Sequence, residues 1–174
     1  MPYAVELALD DEAGAVVRGV WRTLAGIGVT WMEDSGAEPH ISLGIWETID
    51  RAPFEAELAR FAAATPPITV TFEAVGMFPG SAIYLRPVEN RRLADVQQRL
   101  HDRFGALGHG AWQYYLPGTW VPHCTVAMEF PVDRTAEARA IVERLPLPLT
   151  GRLVSAALIE FRPVRELARH ALGG

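Results

Sequence analysis

Two short segments of this chain carry residue types able to move protons and to bind an anion, in the same order each time. Pro39-His40-Ile41-Ser42-Leu43 and Pro122-His123-Cys124-Thr125-Val126 both read proline, histidine, apolar, hydroxyl, apolar, and lie 83 positions apart. An imidazole titrates near neutral pH and can give or take a proton there. A hydroxyl can donate a hydrogen bond to an oxyanion as charge builds on it. In an extended strand, alternation puts the histidine and the hydroxyl on one face, about 6–7 Å apart, and the apolar residues on the other. Two such strands facing each other across a cleft supply two proton-transfer groups and two donors. That is a kit for splitting a phosphoester without a metal. Average composition gives one such match in roughly one chain in ten of this length, so a lone copy would carry no weight. Two copies do.

The elements that must position these residues are legible from periodicity. Tyr3 to Leu9 alternates loosely as a first strand, and Asp10-Asp11 starts a helix with Val16, Val17, Val20, Trp21 and Leu24 at helical spacing, stopped by Gly26 and Gly28. A polar turn (Glu33 to Glu38) precedes a strand from Pro39 to Trp46. Asp50 is placed to cap a helix with Phe54, Leu58 and Phe61 on one face, ending before Pro66-Pro67. Ile68, Val70, Phe72 and Ala74 alternate with polar residues, and Pro79-Gly80 turns this strand into another from Ala82 to Arg86. Asn90 opens a helix with Leu93, Val96, Leu100 and Phe104 inward. A Gly-rich aromatic loop then leads to the second motif strand, Trp120 to Phe130, followed by a helix (Asp133 to Leu145) and a long strand (Leu149 to Phe161). Val164 to Leu172 has helical propensity, yet a strand there would close a hairpin with its predecessor. The alternation is too irregular for a doubly wound parallel sheet, so an α+β fold with antiparallel sheets is expected.

Composition narrows the class. At 174 residues, 49% hydrophobic and 21% charged, the chain fits one globular domain with a sizeable core, and no apolar run reaches membrane-spanning length. The acidic start (Glu6, Asp10, Asp11) is unlike a basic signal-peptide beginning, and points to cytoplasmic residence. A single cysteine excludes an intramolecular disulfide framework. The net charge of −5 argues against broad binding of long duplex nucleic acid, though not against a locally gripped phosphate. All sixteen basic residues are arginine.

The paired His-apolar-Ser/Thr-apolar motifs, with their spacing and element order, resemble the 2H phosphoesterase superfamily, and within it the branch called 2′-5′ RNA ligase-like or RNA 2′,3′-cyclic phosphodiesterase. The resemblance extends over most of the chain, although only the motifs are specific. It implies a bilobal, pseudo-twofold fold spanning residues 1–174, with two antiparallel sheets lining a central cleft, helices outside, and one motif strand per lobe. It also implies metal-independent hydrolysis of a cyclic phosphate or 2′-5′ linkage in a small nucleotide or RNA terminus, with no cofactor. His40, Ser42, His123 and Thr125 carry over as the motif residues. His123 is expected as the base and His40 as the acid, with Ser42 and Thr125 on the non-bridging oxygens.

Competing readings stand beside this one. The histidines could be ordinary strand residues, or metal ligands completed by Glu38 or Glu129, although no third ligand sits at a telling spacing. The cleft could also serve a non-catalytic nucleotide or phosphometabolite binder. Cys124 falls on the opposite face from its neighbours and reads as an inert core thiol, while His101, His109 and His170 read as surface residues. The aromatic loop Trp112 to Trp120, including Tyr115, could stack on a base or pack between lobes. Tyr84 and Arg86 share a strand face that could line the cleft, where Arg86 would pair with phosphate or remain solvated. The protein is expected to be a monomer.

Overall fold

The computed structural model describes residues 1–80 and 82–173. Its strands are β1 (Tyr3–Leu9), β2 (His40–Ile49), β3 (Ile68–Phe78), β4 (Ala82–Pro87), β5 (Gly108–Ala111), β6 (Cys124–Met128), β7 (Leu149–Glu160) and β8 (Arg165–Ala171). The helices are α1 (Asp11–Ala25), α2 (Trp31–Asp34), α3 (Arg51–Ala63), α4 (Arg91–Phe104) and α5 (Thr135–Val142). Every strand pairing is antiparallel, in the order β5-β2-β1-β7-β3-β4-β6, with β8 also on β7. The α+β class is as expected.

The two expected sheets are two wings of one hydrogen-bonded array. The cause is β7, which at 12 residues is about twice the usual strand length. Its first part, Leu149 to Leu153, pairs with β3, and its second part, Leu153 to Glu160, pairs with β1. The wing β5-β2-β1 carries the first motif, and the wing β3-β4-β6 carries the second.

Helix boundaries follow local chemistry that also ties helices to the sheet. Asp10 accepts from the Ala13 N–H at the start of α1 (2.9 Å), while its other carboxylate oxygen accepts from the Arg152 N–H of β7 (2.6 Å). Asn90 caps Leu93 (3.1 Å) and donates to the Thr69 carbonyl of β3 (2.9 Å). Asp50 does not cap α3 with its side chain; it lies 3.5 Å from His109 instead. The inward faces of α1, α3 and α4 bury their apolar residues against the sheet, and Trp46, Phe54, Phe61 and Phe104 form an aromatic cluster between β2, α3 and α4.

Local patterns misread four segments. Gly108–Ala111 forms the short edge strand β5 rather than loop, and a Cβ at Gly108 would strike the Trp46 ring. The expected polar turn begins inside the short helix α2, which holds its first two residues, Glu33 and Asp34. The second motif strand is shorter than Trp120 to Phe130, because residues 120–123 run without ladder bonds, and Pro122 has no N–H to give. Arg165–Ala171 pairs with β7 as β8, so sheet completion overrides helix propensity there.

The aromatic cluster is where the fold is most sensitive to volume. Phe104 is fully buried, with ring centroids 4.6 Å from Phe54 and 5.8 Å from Phe61. Phe104→Ala is expected to cost about 3–5 kcal/mol, read as a lower urea midpoint at unchanged slope.

Candidate active site

Each motif histidine is held by the same local device. His40 Nδ1 donates to the Glu38 carbonyl at 2.6 Å, and His123 Nδ1 donates to the Val121 carbonyl at 2.7 Å. Both carbonyls lie two residues upstream, just before the motif proline, which biases its predecessor toward extended backbone. A carbonyl only accepts, so Nδ1 carries a proton in both rings and Nε2 is the nitrogen left for chemistry.

The repeat continues beyond the sequence motif into the backbone. In the pairing of β1 with β2, Val5 faces Gly44 and Glu6 faces Ser42, leaving Leu43 as a bulge. In the pairing of β4 with β6, Ile83 faces Ala127 and Tyr84 faces Thr125, leaving Val126 as a bulge. Each bulge follows the motif hydroxyl directly and resets the side-chain alternation. Ile45 and Met128, each five residues after its histidine, therefore continue the cavity wall. The bulged Leu43 carbonyl accepts from Gln97 (3.2 Å) and His101 (3.3 Å), and the Ser42 carbonyl accepts from Trp120 Nε1 (3.0 Å). These bonds satisfy groups that the irregular ladder leaves open.

The motifs meet at one cavity of about 620 Å³, lined by His40, Ser42, His123 and Thr125 together with Tyr115, Glu6, Phe78, Trp112 and Arg162. The two halves differ at one equivalent place. Opposite Ser42 stands Glu6, whose Oε1 lies 3.2 Å from His40 Nε2, with both side chains 15% exposed. Opposite Thr125 stands Tyr84, whose ring lies 5.4 Å from that of His123. Phe78 closes edge-on to the same imidazole at 5.0 Å. A Cβ on Gly76, the β3 partner of Tyr84, would collide with the Tyr84 ring, so glycine permits this box.

Titration behaviour follows from that difference. Burial pushes His123 below the ordinary imidazole range, and the nearby His40 adds to the shift, against the Val121 carbonyl that opposes it. Burial raises Glu6 above the ordinary carboxylate range, opposed by His40 and by Arg169. The Glu6 carboxylate thus stands beside the first imidazole, while the second has aromatic rings in the equivalent place. Burial, and then Glu6, push the Tyr115 phenol up to about 12, leaving it a neutral donor. The fully buried Cys124 thiol is pushed up to about 12, also chiefly by burial, which leaves it protonated and inert.

The structure brings together five of the eight residues singled out by sequence in the cavity lining: His40, Ser42, His123, Thr125 and Tyr115. Tyr84 is buried behind His123 rather than in the lining. Trp120 braces β2 from behind through its bond to the Ser42 carbonyl. Arg86 lies outside the cavity, 56% exposed and 3.7 Å from Glu73 of the neighbouring strand, the solvated outcome rather than phosphate contact. His101 is half-buried rather than fully on the surface; its ring lies tilted 5.5 Å from that of Trp46 and its Nε2 reaches the bulged Leu43 carbonyl. Sequence reading missed Glu6 and Gln97. A lone carboxylate inside an otherwise apolar strand, Tyr3-Ala4-Val5-Glu6-Leu7-Ala8-Leu9, was the available signal for Glu6. Among the described residues no three His, Cys, Asp or Glu side chains group closely enough to share a metal, and Glu38 and Glu129 pair instead with Arg169 and Arg162.

Several solved structures share this fold. TT0787 of Thermus thermophilus superposes with a TM-score of 0.62 at 18% identity, covering 100% of this chain and 99% of its own. E. coli LigT complexed with 3′-AMP gives 0.58 at 15% identity, covering 99% and 97%, and LigT complexed with NADP+ gives 0.59 at 16%, covering 100% of both. No curated protein matches in sequence. The model of the 2′-5′ RNA ligase superfamily matches residues 33–164, a span that holds both motifs, and the chain belongs to that family. The resemblance to the 2H phosphoesterases is thereby borne out, and membership supports phosphoester chemistry of the phosphoesterase or ligase kind. Among the described residues no helix is long and apolar enough to cross a membrane.

Because its lowered titration comes chiefly from burial, to which Tyr84 contributes a neighbouring ring, His123 is expected to titrate below the ordinary imidazole value by NMR, and Tyr84→Ala is expected to raise it by admitting water. An unchanged His123 titration in the variant would remove burial as its cause.

Proposed function

We propose that the protein is a metal-independent phosphodiesterase that hydrolyses a cyclic phosphate of the 2′,3′ type, or a 2′-5′ linkage, by acid–base catalysis between His40 and His123. The observation that carries this reading is the matched pair of histidine frames with one difference. Glu6 faces the first imidazole and an aromatic ring faces the second. A mere binding cleft has no use for two such imidazoles with opposed environments.

The step follows from those environments. A water approaches phosphorus from the His123 side and gives its proton to the bare Nε2 there as the new P–O bond forms. The opposite P–O bond breaks, and the leaving oxygen takes a proton from His40 Nε2, beside which Glu6 stands. The Ser42 and Thr125 hydroxyls donate to the non-bridging oxygens, where charge builds. The histidines end with their protons exchanged, and solvent restores the starting state. The kit is complete in the sense that base, acid and oxyanion donors are all side chains of this chain. A nucleotide ligand is supported by the LigT complex with 3′-AMP, a nucleoside carrying a terminal phosphate.

Turnover of a 2′,3′-cyclic nucleotide with chelator present tests the reading. His40→Ala and His123→Ala are each expected to lose at least about a hundredfold in kcat, and near wild-type turnover by either would end the two-histidine account. Glu6→Gln removes the carboxylate facing His40 Nε2. Its loss of kcat is expected to be larger above neutral pH, where the acid needs help to stay protonated, than below it. A loss equal at every pH would instead mark Glu6 as structural.

A further inference from the structure

The cavity and its rim are built for a different electrostatic load from that of an RNA chain. Arg162 is the one arginine among the cavity-lining residues, and it is held by Glu129 at 2.9 Å. Glu6 adds a carboxylate to the same lining, and the lining residue Trp112 donates from Nε1 to Glu47 at 2.5 Å. Arg169, outside the lining, is likewise paired, with Glu38 at 3.2 Å and Glu166 at 2.6 Å. Elsewhere the pattern repeats. Arg51, Arg60, Arg86, Arg91, Arg103, Arg134, Arg139 and Arg165 also lie beside carboxylates, so ten of the sixteen arginines have an acidic neighbour. Single-stranded RNA is gripped through successive phosphates by cations that replace its counterions. Here the one arginine of the lining is already paired with a carboxylate, so among the described lining residues no free guanidinium is set to receive a second phosphate.

The walls offer the opposite kind of attraction. Trp112 and Phe161 pack edge-on with ring centroids 5.8 Å apart, Tyr115 and Phe78 stand by His123, and Tyr114, 80% exposed, stands at the edge of the lining. Aromatic faces of this kind stack on a base and do not depend on salt. The volume of about 620 Å³ falls in the range of small-ligand sites.

We propose that the substrate is a free small nucleotide, bringing one base and one phosphodiester into the cavity, and not the end of an RNA chain. This rests on the phosphodiesterase reading of the same site. It separates the two substrate classes by charge: one phosphate fits between the histidines and hydroxyls, while each further phosphate adds repulsion without a cation to meet it.

The test compares 2′,3′-cyclic AMP with an RNA octamer ending in the same cyclic adenosine, on the wild-type protein, across 50–300 mM salt on the order of the range where phosphate contacts are read out. The expected result is a kcat/KM for the mononucleotide equal to or above that for the octamer, with log–log salt slopes no steeper than about −1 for either. An octamer preferred at least tenfold, with a slope steeper than about −2, overturns the proposal. Tryptophan fluorescence titration with 3′-AMP and with the 3′-phosphorylated octamer separates this inference from the one beneath it. If neither cyclic substrate turns over but 3′-AMP binds at least as tightly as the octamer, the hydrolase reading falls and the size selection stands. Tenfold tighter binding of the octamer overturns the selection whatever the turnover, and binding of neither overturns both.

Discussion

The hydrogen bond from each imidazole Nδ1 to the carbonyl two residues upstream is the contact on which the site depends. It fixes which nitrogen carries the permanent proton and turns Nε2 toward the cavity. That one local bond needs the rest of the sheet. The motif proline favours extended backbone before it, the ladder of β2 or β6 holds the strand, and the bulge after the hydroxyl lets the strand bend away while the hydroxyl stays in the lining. The bulge in turn leaves backbone groups that Gln97, His101 and Trp120 satisfy around β2.

Two identical frames would give two interchangeable histidines. What distinguishes them is a single cross-strand neighbour: a carboxylate opposite Ser42 and an aromatic ring opposite Thr125. The carboxylate stands 3.2 Å from the first imidazole, and burial among aromatic rings lowers the titration of the second. In the proposed mechanism the division of labour comes from the partner strands β1 and β4. β7 makes the arrangement possible by binding both wings into one array.

The four motif residues were legible because they sit close together in sequence, where alternation alone predicts a shared face. Helices α1, α3 and α4 were legible for the same reason, since their apolar stripes are local. Glu6 was not, because its role is fixed by register with a strand more than thirty residues away. The bulges at Leu43 and Val126 carry no sequence mark, as each is an ordinary apolar residue within an apolar run. Arg86 shows the reverse limit: alternation put it on one face with Tyr84, but its pairing with Glu73 on the neighbouring strand could not be read locally. β8 illustrates a third limit. Its residues favour a helix in isolation, and only the free edge of β7 decides otherwise.

The direct test of the account is side-chain 15N NMR on histidine-labelled protein at neutral pH. Proton on Nδ1 and a bare Nε2 in His123, together with a proton bridging His40 Nε2 and Glu6, is the predicted result. A proton on Nε2 of His123, or the same protonation pattern in both rings, would contradict the assignment of base and acid.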